Sequence, residues 1–274
     1  MTAIHIIILL GTGIAVGFAS GLLGIGGGII MGPVQYLIYT SMGLPTDLAI
    51  RMSFGTNLLV IFFVALSGTW RHHRKRAVQW KAAIIMGSCS LIGSIIGATL
   101  TTHLPGEPIK IAFGAVILLS AIRMLTMHLP EVNEKPKDNI WLWVAWALPI
   151  GIMTGLLGIG GGVVVVPVMI LALRFSMHEA VATSLGMMML ASAGGVIGYI
   201  VNGLGVTGLP AYTVGYVNLQ SWLLLSITSI GMAQAGAITA HRLPATQLKY
   251  GFVAIMLYMG LKMTGLFDWL GWPL

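Results

Sequence analysis

The sequence predicts an all-α polytopic membrane protein. It is read as two inverted-topology repeats of about five helices each, with broken, re-entrant helices at a glycine-rich motif. Three observations lead there. The chain is apolar along its whole length, the phrase GLLGIGGG occurs twice, and basic residues are spread unequally between corresponding loops of the two halves.

Of 274 residues, 57% are hydrophobic and only 8% are charged, where a soluble domain carries about 25% charged residues. Apolar runs of eighteen residues or more recur throughout, the length a membrane-spanning helix needs. Long polar segments are missing, so no room is left for a soluble catalytic module, and the chain is read as a non-enzyme. The formal charge of +7 is not a nucleic-acid signal, because the basic residues stand at span ends. The single cysteine, Cys89, allows no intrachain disulfide. The N-terminal MTAIHIIILLG lacks a basic n-region and reads as the start of the first span.

The doubled motif occupies residues 21–28 and 155–162, and Pro33 and Pro167 follow the last glycine of each copy at the same spacing. Adjacent glycines inside an apolar run break a helix, and a following proline removes a further helical hydrogen bond. In lipid such breaks survive only where the freed backbone faces protein or a watered cavity. Matching breaks in two halves point to a transporter's binding site. Close helix packing through small residues is the competing reading of each copy taken singly.

In chain order, residues 3–40 are one apolar stretch, far longer than a ~30 Å hydrocarbon core allows for a single helix. It is expected to be a helix to about Leu23 and a shorter one from about Gly28 to Thr40. Spans follow at about 46–70, 78–102 and 109–128. Residues 129–139, LPEVNEKPKDN, form a polar linker. The pattern then repeats, with a broken stretch over 140–174 and spans at about 178–202, 216–241 and 246–268. The organisation is therefore a first transmembrane repeat, 1–128, a linker, 129–139, and a second repeat, 140–274, in one membrane domain. Ser53 and Gly55 match Ser184 and Gly186; Gly97 matches Gly236; Leu104-Pro105 matches Leu243-Pro244.

Charge sets the relative orientation. The loop after Trp70 holds Arg71, Arg74, Lys75 and Arg76, whereas its counterpart after Ile200 is uncharged. By the positive-inside rule the first is cytoplasmic and the second external. The linker, with Lys135 and Lys137, is also cytoplasmic. Each broken stretch then enters and leaves on one side, the first outside and the second inside, and both termini lie outside a plasma membrane of bacterial inner-membrane type.

The short helices that begin near Gly28 and Gly162 are expected to present free N–H groups and a positive dipole end. That is an anion site with no charged side chain. Its expected backbone donors are Gly26, Gly27 and Gly28 in one half and Gly160, Gly161 and Gly162 in the other. Polar side chains inside the spans are few: Gln35, Ser53, Thr56 and Asn57 in the first half, and Thr183, Ser184 and Gln234 in the second. Gln35, Ser53 and Asn57 in the first half, with Thr183 and Ser184 in the second, are candidates to line a cavity. The alternative for the hydroxyls is a bond back to their own helix. Asn57 is harder to set aside, since a buried amide needs partners; its counterpart is Met188, so its role is asymmetric. Arg51, near the outer end of its span, reads first as a snorkelling side chain and second as an anion contact.

All seven acidic residues (Asp47, Glu107, Glu131, Glu134, Asp138, Glu179, Asp268) and all seven histidines fall at expected span ends or in loops. This counts against a metal site, a cofactor, an intramembrane protease and a cation carrier built on buried carboxylates.

The doubled GLLGIGGG, each copy running into an apolar helix with Pro33 or Pro167, closely resembles the sulfite exporter TauE/SafE family. ATSLG at 182–186 and GSIIGATL at 93–100 followed by Leu104-Pro105 agree with it. The resemblance spans nearly the whole chain and implies a carrier for small sulfur-containing anions such as sulfite, sulfoacetate or related organosulfonates, typically moved outward; with inverted halves it is expected to work by alternating access. The first half departs from the repeat at RMSFG, where Arg51 and Met52 replace Ala182 and Thr183. An anion channel and a non-transporting membrane scaffold are the rival readings. The expected partners are a small anionic substrate and the lipid bilayer, with no nucleic acid; a homodimer stays open, as do substrate identity, direction and coupling ion.

Overall fold

A computed structural model describes residues 1–23, 27–126, 138–239 and 245–266. Among them the first half supplies α1 (Ala3–Leu23), α2 (Gly28–Ser41), α3 (Thr46–Arg74), α4 (Trp80–His103) and α5 (Gly106–Thr126). The second half supplies α6 (Ile140–Leu157), α7 (Gly162–Leu171), α8 (Met177–Gly203), α9 (Leu219–Thr239) and α10 (Ala245–Met263). A small antiparallel ribbon, β1 (Thr213–Val214) and β2 (Val217–Asn218), precedes α9. Among the described residues four helices, α3, α4, α6 and the Glu179–Gly203 part of α8, are long and apolar enough to cross a membrane.

Local signals account for the helix starts. Asn139 caps α6 by accepting from the Trp141 and Leu142 N–H groups. Ser176 and Glu179 form a reciprocal capping box on α8; each cap satisfies N–H donors that the first turn leaves orphaned. The third helix runs past the expected end at residue 70 and takes in Arg71, His72, His73 and Arg74 as its last turn. Cations suit that end, where the helix dipole is negative.

The helices pack in a pairwise pattern. The two longest, α3 and α8, run antiparallel through the middle, with Gly55 against Tyr199, Leu58 against Gly195 and Gly68 against Leu185. The first helix lies alongside α9, where Gly13 and Gly17 meet Leu225, Thr228 and Ser229. Corresponding helices do the same in the other half, since Gly151 and Gly155 of α6 lie on Ser90 and Ser94 of α4. A side chain at Gly17, Gly151 or Gly155 would overlap the facing backbone, and one at Gly68 or Gly195 would meet the facing leucine side chain, so the glycines set the interhelical distance. Hydroxyls tie the same seams: Ser90 donates to the Ala147 carbonyl at 2.7 Å, Thr101 to Leu156 at 2.8 Å and Tyr199 to Gly155 at 2.9 Å. Outside this middle, Ile84, Ile92, Ile96 and Leu100 of α4 and Trp141 and Leu148 of α6 are exposed, as a lipid-facing surface requires.

Both motif-bearing stretches turn back on themselves. The His5 ring and the Ser41 hydroxyl are 3.1 Å apart, so α1 begins where α2 ends. In the second half Asp138, just before α6, pairs with Lys81 at 2.8 Å, and Glu179 on α8 accepts from Gln79 at 2.9 Å. The starts of α4, α6 and α8 therefore share one end of the bundle.

Candidate functional site

The chain leaves the helix at both motifs. The first helix stops at Leu23 and α2 starts at Gly28, while α6 stops at Leu157 and α7 starts at Gly162. Gly27 and Gly161, the N-cap residues of the two short helices, hold φ of 59° and 77°. Only glycine takes this left-handed conformation without steric cost. Neither has a side chain to cap with, and the N–H groups of Gly28, Ile29 and Gly162 have no carbonyl partner among the described residues. Gly26 lies outside the described residues.

The two turns meet at Asn57. Its Nδ2 donates to the Gly28 carbonyl at 3.0 Å and to the Gly158 carbonyl at 2.6 Å. A Cβ on Gly28 would stand 2.7 Å from the Ile159 carbonyl oxygen, and Gly28 and Gly160 both press on Ile61. Gly161 closes the second turn against Thr154, whose hydroxyl bonds back to Ile150 at 2.8 Å. Asn57 sits at the middle of α3, so the junction lies at mid-depth of the bundle. It brings Gly27, Gly28, Gly160, Gly161, Gly162 and Asn57 together. Gly158 belongs with them; its place in GLLGIGGG was the available signal.

The other candidates are placed differently. The Ser53 hydroxyl donates to Ala49 at 2.6 Å and that of Ser184 to Val181 at 2.9 Å, each back into its own helix. Thr183 accepts from the Gln79 N–H at 3.1 Å and so caps the start of α4, away from the glycine turns. Thr56 accepts from the Asn218 N–H at 2.9 Å, which fastens the ribbon to α3. Gln35 is fully buried, and neither its Oε1 nor its Nε2 has a partner among the described residues; the Oδ1 of Asn57 is likewise unpartnered.

Arg51 is half-buried. Its guanidinium donates to the Leu104 carbonyl at 3.2 Å, reaches the Tyr216 hydroxyl at 3.5 Å and lies 5.9 Å from that ring's centroid. Leu104 closes the C-terminus of α4, where unsatisfied carbonyls favour a cation. Tyr216, in the ribbon's turn, gave no sequence signal, because two-residue strands carry no periodicity.

Among the described residues the junction offers backbone N–H groups at two helix starts together with neutral amides, the kind of donors that an anion can use.

Comparison with known proteins agrees on the class. A probable membrane transporter protein of Methanocaldococcus jannaschii is 30% identical over 93% of this chain and 94% of its own length. One of Haemophilus influenzae is 27% identical over 94% and 97%, and YunE of Bacillus subtilis, also a probable membrane transporter protein, is 31% identical over 72% and 79%. No solved structure matches. The model of the sulfite exporter TauE/SafE family matches residues 9–263, both glycine motifs included, and the chain belongs to that family of integral membrane transporters.

Proposed function

We propose that this protein is a secondary carrier that moves a small sulfur-containing anion, such as sulfite, sulfoacetate or a related organosulfonate, out of the cell by alternating access between two inverted repeats. The observation that carries the proposal is the meeting of both glycine turns on Asn57. Free N–H groups at two helix starts beside one residue would give a small oxyanion several main-chain donors at once.

Inversion is supported by direction. Corresponding helices α3 and α8 run antiparallel, which repeats related by an axis along the membrane normal would not do. The pairing of α1 with α9 and of α6 with α4 is what exchange of the halves produces. Each motif-bearing stretch starts and ends at one side, as expected for re-entry from opposite faces. With the 71–76 loop and the 129–139 linker in the cytoplasm of a bacterial inner-membrane protein, α1 and α2 then open outward and α6 and α7 inward.

The test is counterflow in proteoliposomes. Internal unlabelled sulfite should accelerate entry of labelled sulfite through the wild type, as a carrier requires and a pore does not. Gly27→Val and Gly161→Val should each cut that exchange by about tenfold or more, the loss of ~1.4 kcal/mol of binding or barrier free energy. Full exchange in both variants would remove the backbone cradle, and flux without counterflow would favour a channel.

A further inference from the structure

Orphaned amide atoms at the glycine junction and two turns along α2 bear on which anion the site accepts. Two carbonyls, of Gly28 and Gly158, hold the Asn57 nitrogen. A carbonyl can only accept, so the amide is oriented by them and its Oδ1 must face away. That oxygen is buried with no partner among the described residues. On α2, Gly28 and Gly32 face Asn57, with would-be Cβ atoms 3.1 and 3.7 Å from its nitrogen. Gln35 follows Gly32 by three residues and so lies on the same face one turn on. Its exposure is 0%, and both of its amide atoms lack partners among the described residues. Apolar Phe113 stands against Gly32 and supplies none.

Buried amide atoms without partners are costly. Here they comprise two acceptors, Asn57 Oδ1 and Gln35 Oε1, and one donor, Gln35 Nε2. A bare oxyanion satisfies only the donor and is repelled by both acceptors. Charge adds a second condition. The starts of α2 and α7 carry about half a positive charge each, which together balance one negative charge and not two.

We propose that Gln35 and the Asn57 carbonyl oxygen select a singly charged sulfur oxyanion that carries its own hydrogen-bond donor, an O–H or N–H on or beside the anionic head. The inference rests on the carrier reading above and narrows its substrate. Hydrogen sulfite meets the rule. Sulfate, doubly charged and without a donor, does not, and neither does a plain alkanesulfonate.

The test compares 2-hydroxyethanesulfonate and 2-aminoethanesulfonate with 1-propanesulfonate, which has a similar shape but ends in a methyl group. Counterflow and thermal stabilisation of the purified protein are both read. 2-Hydroxyethanesulfonate, singly charged and bearing an O–H, should exceed propanesulfonate by about tenfold or more, since a site built to pair a polar group discriminates strongly against the analogue lacking it; 2-aminoethanesulfonate carries its donor as an ammonium and has no net charge at neutral pH, so its success in place of 2-hydroxyethanesulfonate would overturn the charge condition. Gln35→Met, which removes the orphaned amide and keeps its length, should melt no lower than the wild type and bring the ratio toward one. Equal exchange of all three by the wild type overturns the donor rule, as does an unchanged ratio in Gln35→Met. If none is transported but a donor-bearing sulfonate alone stabilises the protein, the carrier reading fails and the donor rule stands. If none is transported and none stabilises it, both fail.

Discussion

Asn57 donates its side-chain N–H to the Gly158 carbonyl at 2.6 Å, joining a helix of one half to the glycine turn of the other. The same nitrogen also holds the Gly28 carbonyl. Asn57→Leu strips both carbonyls of their donor in a buried place and is expected to destabilise the protein by about 2–4 kcal/mol. Unfolding in detergent measures this. An unchanged melting temperature would mean that the turns are held together by packing alone.

Gly161→Ala is a narrower change at the same junction. It keeps the apolar character but forces a Cβ onto a residue at φ 77°, with Thr154 Oγ1 2.6 Å away. Left-handed backbone costs a non-glycine residue about 1–2 kcal/mol, and the contact adds to it. Gly43 shares the positive φ but meets nothing within 4 Å, so Gly43→Ala should cost only the backbone part. Comparing the two melting temperatures separates strain from collision; equal losses would show that the space around Gly161 does not matter.

These residues mark how far the sequence could be read. The helix breaks were legible because three glycines in a row have few alternatives inside an apolar run. Asn57 was legible as an amide that must find partners, although not which ones, because they come from carbonyls 29 and 101 residues away in sequence. Ser53 and Ser184 were legible as equivalents, yet each bonds to its own helix, a choice set by local geometry that repeat symmetry does not reveal. Arg51 was the hardest. Its partners are the end of α4 and a short ribbon, and neither is written in the residues around position 51.

In the inverted arrangement proposed above, the connections after α3 and α8 face opposite sides of the membrane. Cys89 is the lone cysteine, so a Cys89→Ser background allows Lys75→Cys and Thr207→Cys to be placed one at a time. A membrane-impermeant thiol reagent added to intact cells should label position 207 and spare position 75 until the membrane is opened. Labelling of both from the same side would refute the inverted arrangement.

The capping box on α8 offers a test of local structure apart from transport. Ser176 accepts from the Glu179 N–H, and the Glu179 carboxylate accepts from the Ser176 N–H at 3.3 Å and from the Gln79 side chain at 2.9 Å. Ser176→Ala removes one N-cap acceptor and should cost about 1 kcal/mol. Glu179→Gln keeps an oxygen for the Ser176 N–H but loses the charge that favours a helix start, so its cost should be smaller. Neither residue approaches the glycine turns, and exchange of labelled sulfite per folded molecule should be unchanged in both. A transport defect at undiminished stability would instead tie the start of α8, and the Gln79 contact to α4, to the movement between states.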